Sequence, residues 1–149
     1  MYKRILVALD GSEQSCKALD HAAAIAEKFG SELKLLAVVP RAMFPFFTTD
    51  GRFGSTVDVV QYQERCKDVY QAVLTEAEAR VRSEHPDLNV STMLREGRPS
   101  AVIVDVAENE GYELIVMGSR GIKGITGFIL GSTSRRVVDS CTKPVLIIK

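Results

Sequence analysis

A segment rich in glycine and hydroxyl side chains, residues 118–134, has the composition of an anion-binding loop. Its glycines stand at positions 118, 121, 124, 127 and 131, and Gly131 precedes Ser132, Thr133 and Ser134. Glycine lets the backbone approach a ligand closely, and the N–H groups and dipole at the start of a following helix favour negative charge. The segment therefore predicts a phosphate site, although a surface turn rich in glycine would have a similar composition.

Two widespread phosphate-binding motifs do not occur in the sequence. No Gly-Lys dipeptide is present, so the P-loop pattern is excluded, and no glycines fall at i, i+2 and i+5, so the dinucleotide fingerprint is excluded as well. The spacing that remains is Gly118-x2-Gly121-x9-Gly131-Ser132.

Asp10 is a second candidate for such a site, because it follows the apolar run at residues 5–9. Its carboxylate could hold a ribose or a metal-bound water, or it could only cap the following helix. His21 and His85 are expected on helix surfaces away from the site. The sequence offers no set of nucleophile, general base and orienting residue that could form a catalytic site. We therefore assign no catalytic and no metal-ligating residue.

The chain alternates between apolar runs and helical patterns. Strands are predicted at residues 5–9, 33–39, 88–94, 113–117 and 144–148, with a helix after each of the first four. The third strand alternates apolar and polar residues, as an edge strand does. This order predicts an α/β fold with a doubly wound parallel sheet of five strands and helices on both faces.

Helix boundaries are marked by particular residues. The first helix is capped by Asp10 or Ser12 and ended by Gly30, and the third begins at Pro99 and ends at Gly111. The apolar face of the first helix is formed by Cys16, Leu19, Ala22, Ala23, Ala26 and Phe29. Ser132, Thr133 and Ser134 are predicted to cap the fourth helix. Residues 40–56, with four phenylalanines, are predicted to form a long loop, and loops of this length are usually functional or mobile.

Composition limits the class of protein. The length of 149 residues predicts a single domain, 1–149, and the formal net charge of zero argues against nucleic acid and anionic membranes as partners. No apolar run approaches the ~18 residues of a membrane span, so membrane insertion is not expected. The three cysteines have no C-x-x-C spacing, which favours a reducing, cytoplasmic location.

The glycine spacing, together with Met117 before it, ALDGS at residues 8–12 and KPVLIIK at the end of the chain, resembles the universal stress protein family over all 149 residues. The resemblance implies strand order 3-2-1-4-5 and an ATP site, with Mg²⁺, between the first and fourth strands, where Asp10 and Gly118 face each other. The residues that it implies for ATP binding are Ala8, Asp10, Val38, Met117, Gly118, Gly121, Gly131, Ser132 and Thr133. Ala8 stands where the family often has proline.

The function that the resemblance implies is a nucleotide-dependent regulatory module in stress response, with slow or incidental hydrolysis. The alternative is an ATPase or a phosphotransfer enzyme on the same fold. Cations at Arg120, Lys123, Arg135 and Arg136 could neutralise phosphate, but none is assigned. A response-regulator receiver is excluded because the first strand ends in a single acidic residue.

The last strand predicts self-association. Val145–Ile148 has no charge or proline within it, although soluble proteins usually protect an exposed sheet edge in that way. If this strand is the outer edge, as the resemblance implies, antiparallel pairing with a second copy would form a homodimer. A further protein partner remains open.

Overall fold

The computed structural model describes residues 1–41, 56–121 and 129–149. In chain order the elements are β1 (Arg4–Ala8), α1 (Glu13–Phe29), β2 (Glu32–Val39), α2 (Thr56–Glu84), β3 (Val90–Glu96), α3 (Pro99–Asn109), β4 (Leu114–Gly118), α4 (Ser132–Ser140) and β5 (Val145–Ile148). The strands and helices predicted from the sequence are thus all present, with boundaries that differ by a few residues.

The strands form one sheet in the order β3-β2-β1-β4-β5, and every neighbouring pair is parallel. The fold class and the strand order expected from the family resemblance are confirmed. Ala8 of β1 is level with Leu36 of β2 and Met117 of β4. β2 and β4 lie on opposite sides of β1, so the winding of the sheet reverses at β1. The carboxyl ends of these three strands therefore border the crevice in which such sheets bind ligands.

Alternate residues of the central strand enter two cores. Ile5 and Val7 pack with α1 and α2 on one face, while Leu6 packs with α3 and α4 on the other. All three side chains are completely buried. Burial on both faces explains why β1 is a continuous apolar run and not an alternating one.

The buried face of α1 differs from the predicted one. Cys16 is exposed and Phe29 is 45% exposed, whereas Ser15 and Ala18 are buried. Ser15 tolerates burial because its hydroxyl donates to the carbonyl of Ser12 over 2.8 Å. Phe29 lies at the last turn, where its ring meets the edge of Tyr2 with centroids 6.3 Å apart.

The predicted helix ends are mostly confirmed. Gly30 ends α1 with a φ of 65°, in the left-handed region that favours glycine, and Pro99 is the first residue of α3. The N-cap of α1 is Ser12 and not Asp10. The N-cap of α4 is Gly131, so the prediction of a hydroxyl cap at residues 132–134 is wrong.

The two edges of the sheet are β3 and β5, as expected. Most side chains of β3 are partly or fully exposed, in keeping with its alternating sequence. Of the loop predicted at residues 40–56, residues 42–55 lie outside the described ranges, as do the four phenylalanines. In the parts that are described, no helix is long and apolar enough to cross a membrane.

Candidate functional site

A cavity of about 600 Å³ opens at the carboxyl ends of β1, β2 and β4. All nine residues named from the sequence line it, namely Ala8, Asp10, Val38, Met117, Gly118, Gly121, Gly131, Ser132 and Thr133. Its volume lies within the range of roughly 300–1,000 Å³ that is usual for small-molecule sites. The fold therefore brings together residues that are more than 100 positions apart in the chain, from Ala8 to Thr133.

The turn after β1 holds Asp10 in a defined position. Its Oδ1 accepts the backbone N–H of Ser12 over 2.9 Å. The hydroxyl of Ser12 in turn accepts the N–H of Ser15 over 3.2 Å, which caps α1. Asp10 is therefore not needed as the helix cap, and its second carboxylate oxygen faces the glycine loop.

Gly121 is the residue of the loop that meets this oxygen. A Cβ atom at position 121 would lie 2.6 Å from Oδ2 of Asp10, closer than non-bonded atoms can approach. The hydroxyl of Ser12 also donates to the carbonyl of Arg120 over 3.4 Å. The turn after β1 and the start of the glycine loop are thus in direct contact, as expected for residues on either side of one crevice.

Gly118 has a different neighbour. A Cβ atom there would lie 2.8 Å from Cβ of Gln14 and 2.9 Å from the Gln14 carbonyl carbon. The first turn of α1 therefore rests directly on the end of β4. Glycine at position 118 is required by this packing, whatever ligand the cavity holds.

The two described ends of the glycine loop are joined by hydrogen bonds. The N–H of Gly131 donates to the carbonyl of Ser119 over 2.7 Å, and the hydroxyl of Ser134 donates to the same carbonyl over 3.0 Å. Ser134 is buried by this contact. Its hydroxyl is therefore used inside the protein, whereas Ser132 and Thr133, the two hydroxyl residues expected to bind a ligand, line the cavity.

The first turn of α4 forms the polar end of the cavity. Gly131 has no side chain with which to cap the helix, and no side-chain cap bond is made there. The backbone N–H groups of the first helical turn lack partners within the helix. Together with the helix dipole, they make this end of the cavity favourable for an anion.

Among the residues that the structure describes, few charged side chains line the cavity. Of the cations considered from the sequence, Arg120 lines it, Arg135 and Arg136 are exposed on α4 outside its lining, and Lys123 lies outside the described residues. Within the described ranges, no group of three or more His, Cys, Asp or Glu side chains is placed to hold a metal ion.

The opposite end of the cavity is apolar. Val38 and Met117 are 6% and 5% exposed, and Ile103 of α3 lies beside them in the same hydrophobic cluster. Such a surface suits a flat, largely apolar group. The cavity thus has one end that suits a heterocyclic base and another that suits phosphate.

Sequence reasoning missed several residues of the lining. Pro99 and Ile103 of α3 border the cavity, although the sequence marks Pro99 only as a helix start. Tyr70 of α2 borders the cavity as well. Periodicity shows which face of a helix is buried, but not which of its turns reaches the end of the sheet.

His85 lies at the end of α2, as expected, and its Nδ1 is 3.2 Å from Oε2 of Glu27. His21 is exposed on α1. Neither histidine lines the cavity.

Comparison with known proteins agrees with this description. The model of a family described as "Universal stress protein family" matches residues 1–149. Universal stress protein YxiE of Bacillus subtilis is 34% identical over 151 residues, which cover 100% of this chain and 100% of that protein.

Two solved structures have the same fold. The universal stress protein UspA from Lactobacillus plantarum has a TM-score of 0.81 at 24% identity, covering 99% of this chain and 98% of that one. A universal stress protein from Archaeoglobus fulgidus, solved in complex with dAMP, has a TM-score of 0.64 at 25% identity, covering 99% of this chain and 98% of that one.

Proposed function

Since the chain belongs to the universal stress protein family, we propose that it is an ATP-binding regulatory module of the stress response, in which nucleotide occupancy is the signal. The observation that carries this proposal is the convergence of the nine residues on one cavity with an apolar end and an anion-favouring end. A relative from Archaeoglobus fulgidus was solved with dAMP, an adenine nucleotide, which supports the same class of ligand.

ATP fits the chemistry of this lining. Adenine would lie at the apolar end, against Val38 and Met117. The phosphates would lie at the other end, near Gly121, Gly131 and the first turn of α4, where backbone N–H groups and Arg120 offset their charge. The ribose would lie between the base and the phosphates, beside Asp10. Mg²⁺ would be held mainly by the phosphates, because the described residues supply no complete metal site.

Hydrolysis is proposed to be slow. Asp10 and Arg120 are the charged side chains among the described lining residues. Oδ1 of Asp10 already accepts a hydrogen bond from the backbone of Ser12. Fast phosphoryl transfer to water needs a residue that orients the attacking water in line with the γ-phosphate, and no described residue is in an evident position to do so.

The same proposal includes a homodimer formed through β5. This strand lies at the outer edge of the sheet, so the backbone on its free side has no partner strand among the described residues. Its four side chains are Val, Leu, Ile and Ile, all only partly buried. Antiparallel pairing with the β5 of a second copy would cover this edge in both copies, so that no further copy could add at β5.

Two further parts of the proposal concern the chain as a whole. Residues 1–149 would form one domain, since the single sheet draws strands from both ends of the chain. A cytoplasmic location is in keeping with three cysteines that are all free.

Calorimetric titration of the purified protein with ATP and Mg²⁺ tests the binding proposal. We expect saturable binding with one site per chain. Absence of heat and of any co-purified nucleotide at millimolar ATP would contradict it. A steady-state turnover number on the order of 10 per second, typical of enzymes, would favour the ATPase or phosphotransfer alternative instead.

A further inference from the structure

Tyr70 is an aromatic residue of the cavity lining that neither the glycine signature nor the strand ends account for. It is supplied by α2, the helix on the same face of the sheet as α1. Among the lining residues that the structure describes, it carries the one phenol group. A phenol hydroxyl both donates and accepts hydrogen bonds, so in a ligand cavity it can bind a polar group of the ligand.

The position of Tyr70 is fixed by contacts on either side of it along α2. One turn later, Val73 packs against the turn after β1, so closely that a Cβ atom on Gly11 would lie 3.1 Å from its Cγ2. One turn earlier, Nζ of Lys67 pairs with Oε1 of Glu96 over 2.7 Å, at the end of β3. The ring of Tyr70 itself packs against the core that α1 and α2 share. The phenol is therefore held in place before any ligand arrives.

The hydroxyl of Tyr70 lies in the electrostatic field of Asp10. Burial raises the pKa of Tyr70, and the negative charge of Asp10 raises it further. Hydrogen bonding among the described residues does not contribute to this shift. The phenol is consequently protonated at neutral pH and remains available as a donor.

Asp10 and Tyr70, which both line the cavity, thus offer complementary groups to a ligand. Oδ2 of Asp10 is an acceptor, and the phenol is a donor. A flat base is a poor occupant of this place, because the apolar surface that suits it is formed by Val38 and Ile103 on the other face of the sheet. Neutral hydroxyls, which donate and accept at once, suit both groups.

We infer that Tyr70 recognises the sugar of the bound nucleotide, so that its phenol and the carboxylate of Asp10 together bind the vicinal hydroxyls of a ribose. One ribose hydroxyl donates a hydrogen bond to Oδ2 of Asp10, and the neighbouring ribose hydroxyl accepts a hydrogen bond from the phenol. The site therefore selects ribonucleotides over their deoxy forms. This inference rests on the proposed nucleotide function and adds a specificity residue to it.

Isothermal titration with ATP, 2′-deoxy-ATP and 3′-deoxy-ATP, for the wild type and Tyr70→Phe, tests the inference. Phenylalanine keeps the ring that packs against the core and removes only the hydroxyl. A hydrogen bond of ordinary strength predicts that Tyr70→Phe weakens ATP binding about 3- to 10-fold. The preference for ATP over one of the two deoxy forms should also be smaller in the variant than in the wild type, by about the same factor. Tyr62→Phe, which removes the same group from an exposed residue of the same helix, should change neither quantity.

The possible outcomes separate the inference from the function on which it rests. If the wild type binds no adenine nucleotide, the proposed function and the inference both fail. If the wild type binds ATP and both deoxy forms equally, the proposed function stands and the inference is wrong. Equal weakening of all three ligands by Tyr70→Phe would also overturn it, because the phenol would then contact another part of the ligand or act only through packing.

A second measurement does not depend on the variant. The ζ carbon of Tyr70 in the ¹³C NMR spectrum of the wild type reports the hydrogen bonding of its hydroxyl. It should shift when ATP binds and should shift less with 2′,3′-dideoxy-ATP. Identical shifts with the two ligands would contradict the inference even if Tyr70→Phe did not fold.

Discussion

Gly121 lies so close to Asp10 that a Cβ atom on the glycine would be 2.6 Å from Oδ2 of the aspartate. The contact joins the turn after β1 to the loop after β4 across the cavity. Glycine is thus required at position 121 by a neighbouring side chain as well as by the close approach proposed for a phosphate. Because that neighbour is a side chain and not backbone, a larger residue at 121 would displace the Asp10 carboxylate and leave the fold intact.

Gly121→Val is therefore expected to weaken ATP binding by at least ~10-fold, since it fills the proposed phosphate position and displaces Asp10. The melting temperature should change little. Gly30→Ala, at the opposite end of α1, is a matched control: it strains a residue with φ of 65° where no other atom lies within 4 Å. It should lower the melting temperature and leave ATP affinity unchanged. Unaltered affinity in Gly121→Val, measured by calorimetry, would contradict the site.

Gly118→Ala is expected to act through stability. Its Cβ would lie 2.8 and 2.9 Å from atoms of Gln14, one of them a backbone carbon that cannot turn aside. Overpacking of this kind costs about 1–3 kcal/mol. Urea unfolding, followed by circular dichroism, should show a midpoint shifted to lower urea. A variant as stable as the wild type would show that α1 can move away from β4 at little cost.

Ser12→Ala tests the cap of α1. The Ser12 hydroxyl accepts the N–H of Ser15 over 3.2 Å, and loss of such a cap costs about 1 kcal/mol. The same hydroxyl donates to the carbonyl of Arg120 over 3.4 Å, so the start of the glycine loop should also loosen. Hydrogen exchange should be faster in the first turn of α1 and near residue 120. Ser140→Ala, at the exposed end of α4, should leave both regions unchanged.

The proposed dimer predicts the effect of a charge on β5. Ile147→Lys places an ammonium group within the four-residue apolar strand, where pairing with a second copy would bring two such charges close together. Analytical ultracentrifugation should show a dimer for the wild type at micromolar concentration and a monomer for the variant. A wild-type protein that remains monomeric at high concentration would contradict the proposed dimer.

Glu108 of α3 predicts a pH dependence of stability. Its carboxylate accepts the N–H and the hydroxyl of Thr142, over 2.6 and 2.7 Å, and these bonds hold the pKa of Glu108 below its usual value of 4.5. A depressed pKa in the folded state gives a stabilisation that is present above pH 4.5 and is lost as the pH falls through the lower, folded-state pKa.

Glu108→Gln should therefore lower the melting temperature at pH 7, and the difference from the wild type should shrink below pH 4.5 as Glu108 becomes protonated. Glu76→Gln, on the exposed surface of α2, serves as the control and should follow the wild-type curve. A difference that stays constant from pH 7 to pH 3 would show that the charge of Glu108 does not matter.

Local features of the sequence were sufficient to predict the elements of this fold. The apolar run at residues 5–9 predicts a strand, and β1 is one, with Ile5, Leu6 and Val7 fully buried. Gly30 and Pro99 marked helix ends because their backbone preferences act within one or two residues. Even the order of strands was expected, although through the family resemblance and not from these patterns.

The tertiary structure decided how the elements meet. Cys16 and Phe29 belong to the helical repeat of α1, yet the helix is rotated so that Ser15 and Ala18 face the core in their place. The N-cap of α4 is Gly131, and the hydroxyl of Ser134 donates to the carbonyl of Ser119, a contact that no local pattern reveals.

Tyr70 shows the same limit most clearly. Helical spacing can place Tyr70 on the buried side of α2, but whether that turn reaches the core or the cavity depends on where the helix rests on the sheet. That position is set by Val73 against Gly11 and by Lys67 with Glu96, contacts between parts of the chain that are distant in sequence. Periodicity within one helix carries no information about such contacts, so the sequence determined which side of α2 is buried and the packed structure decided what that side touches.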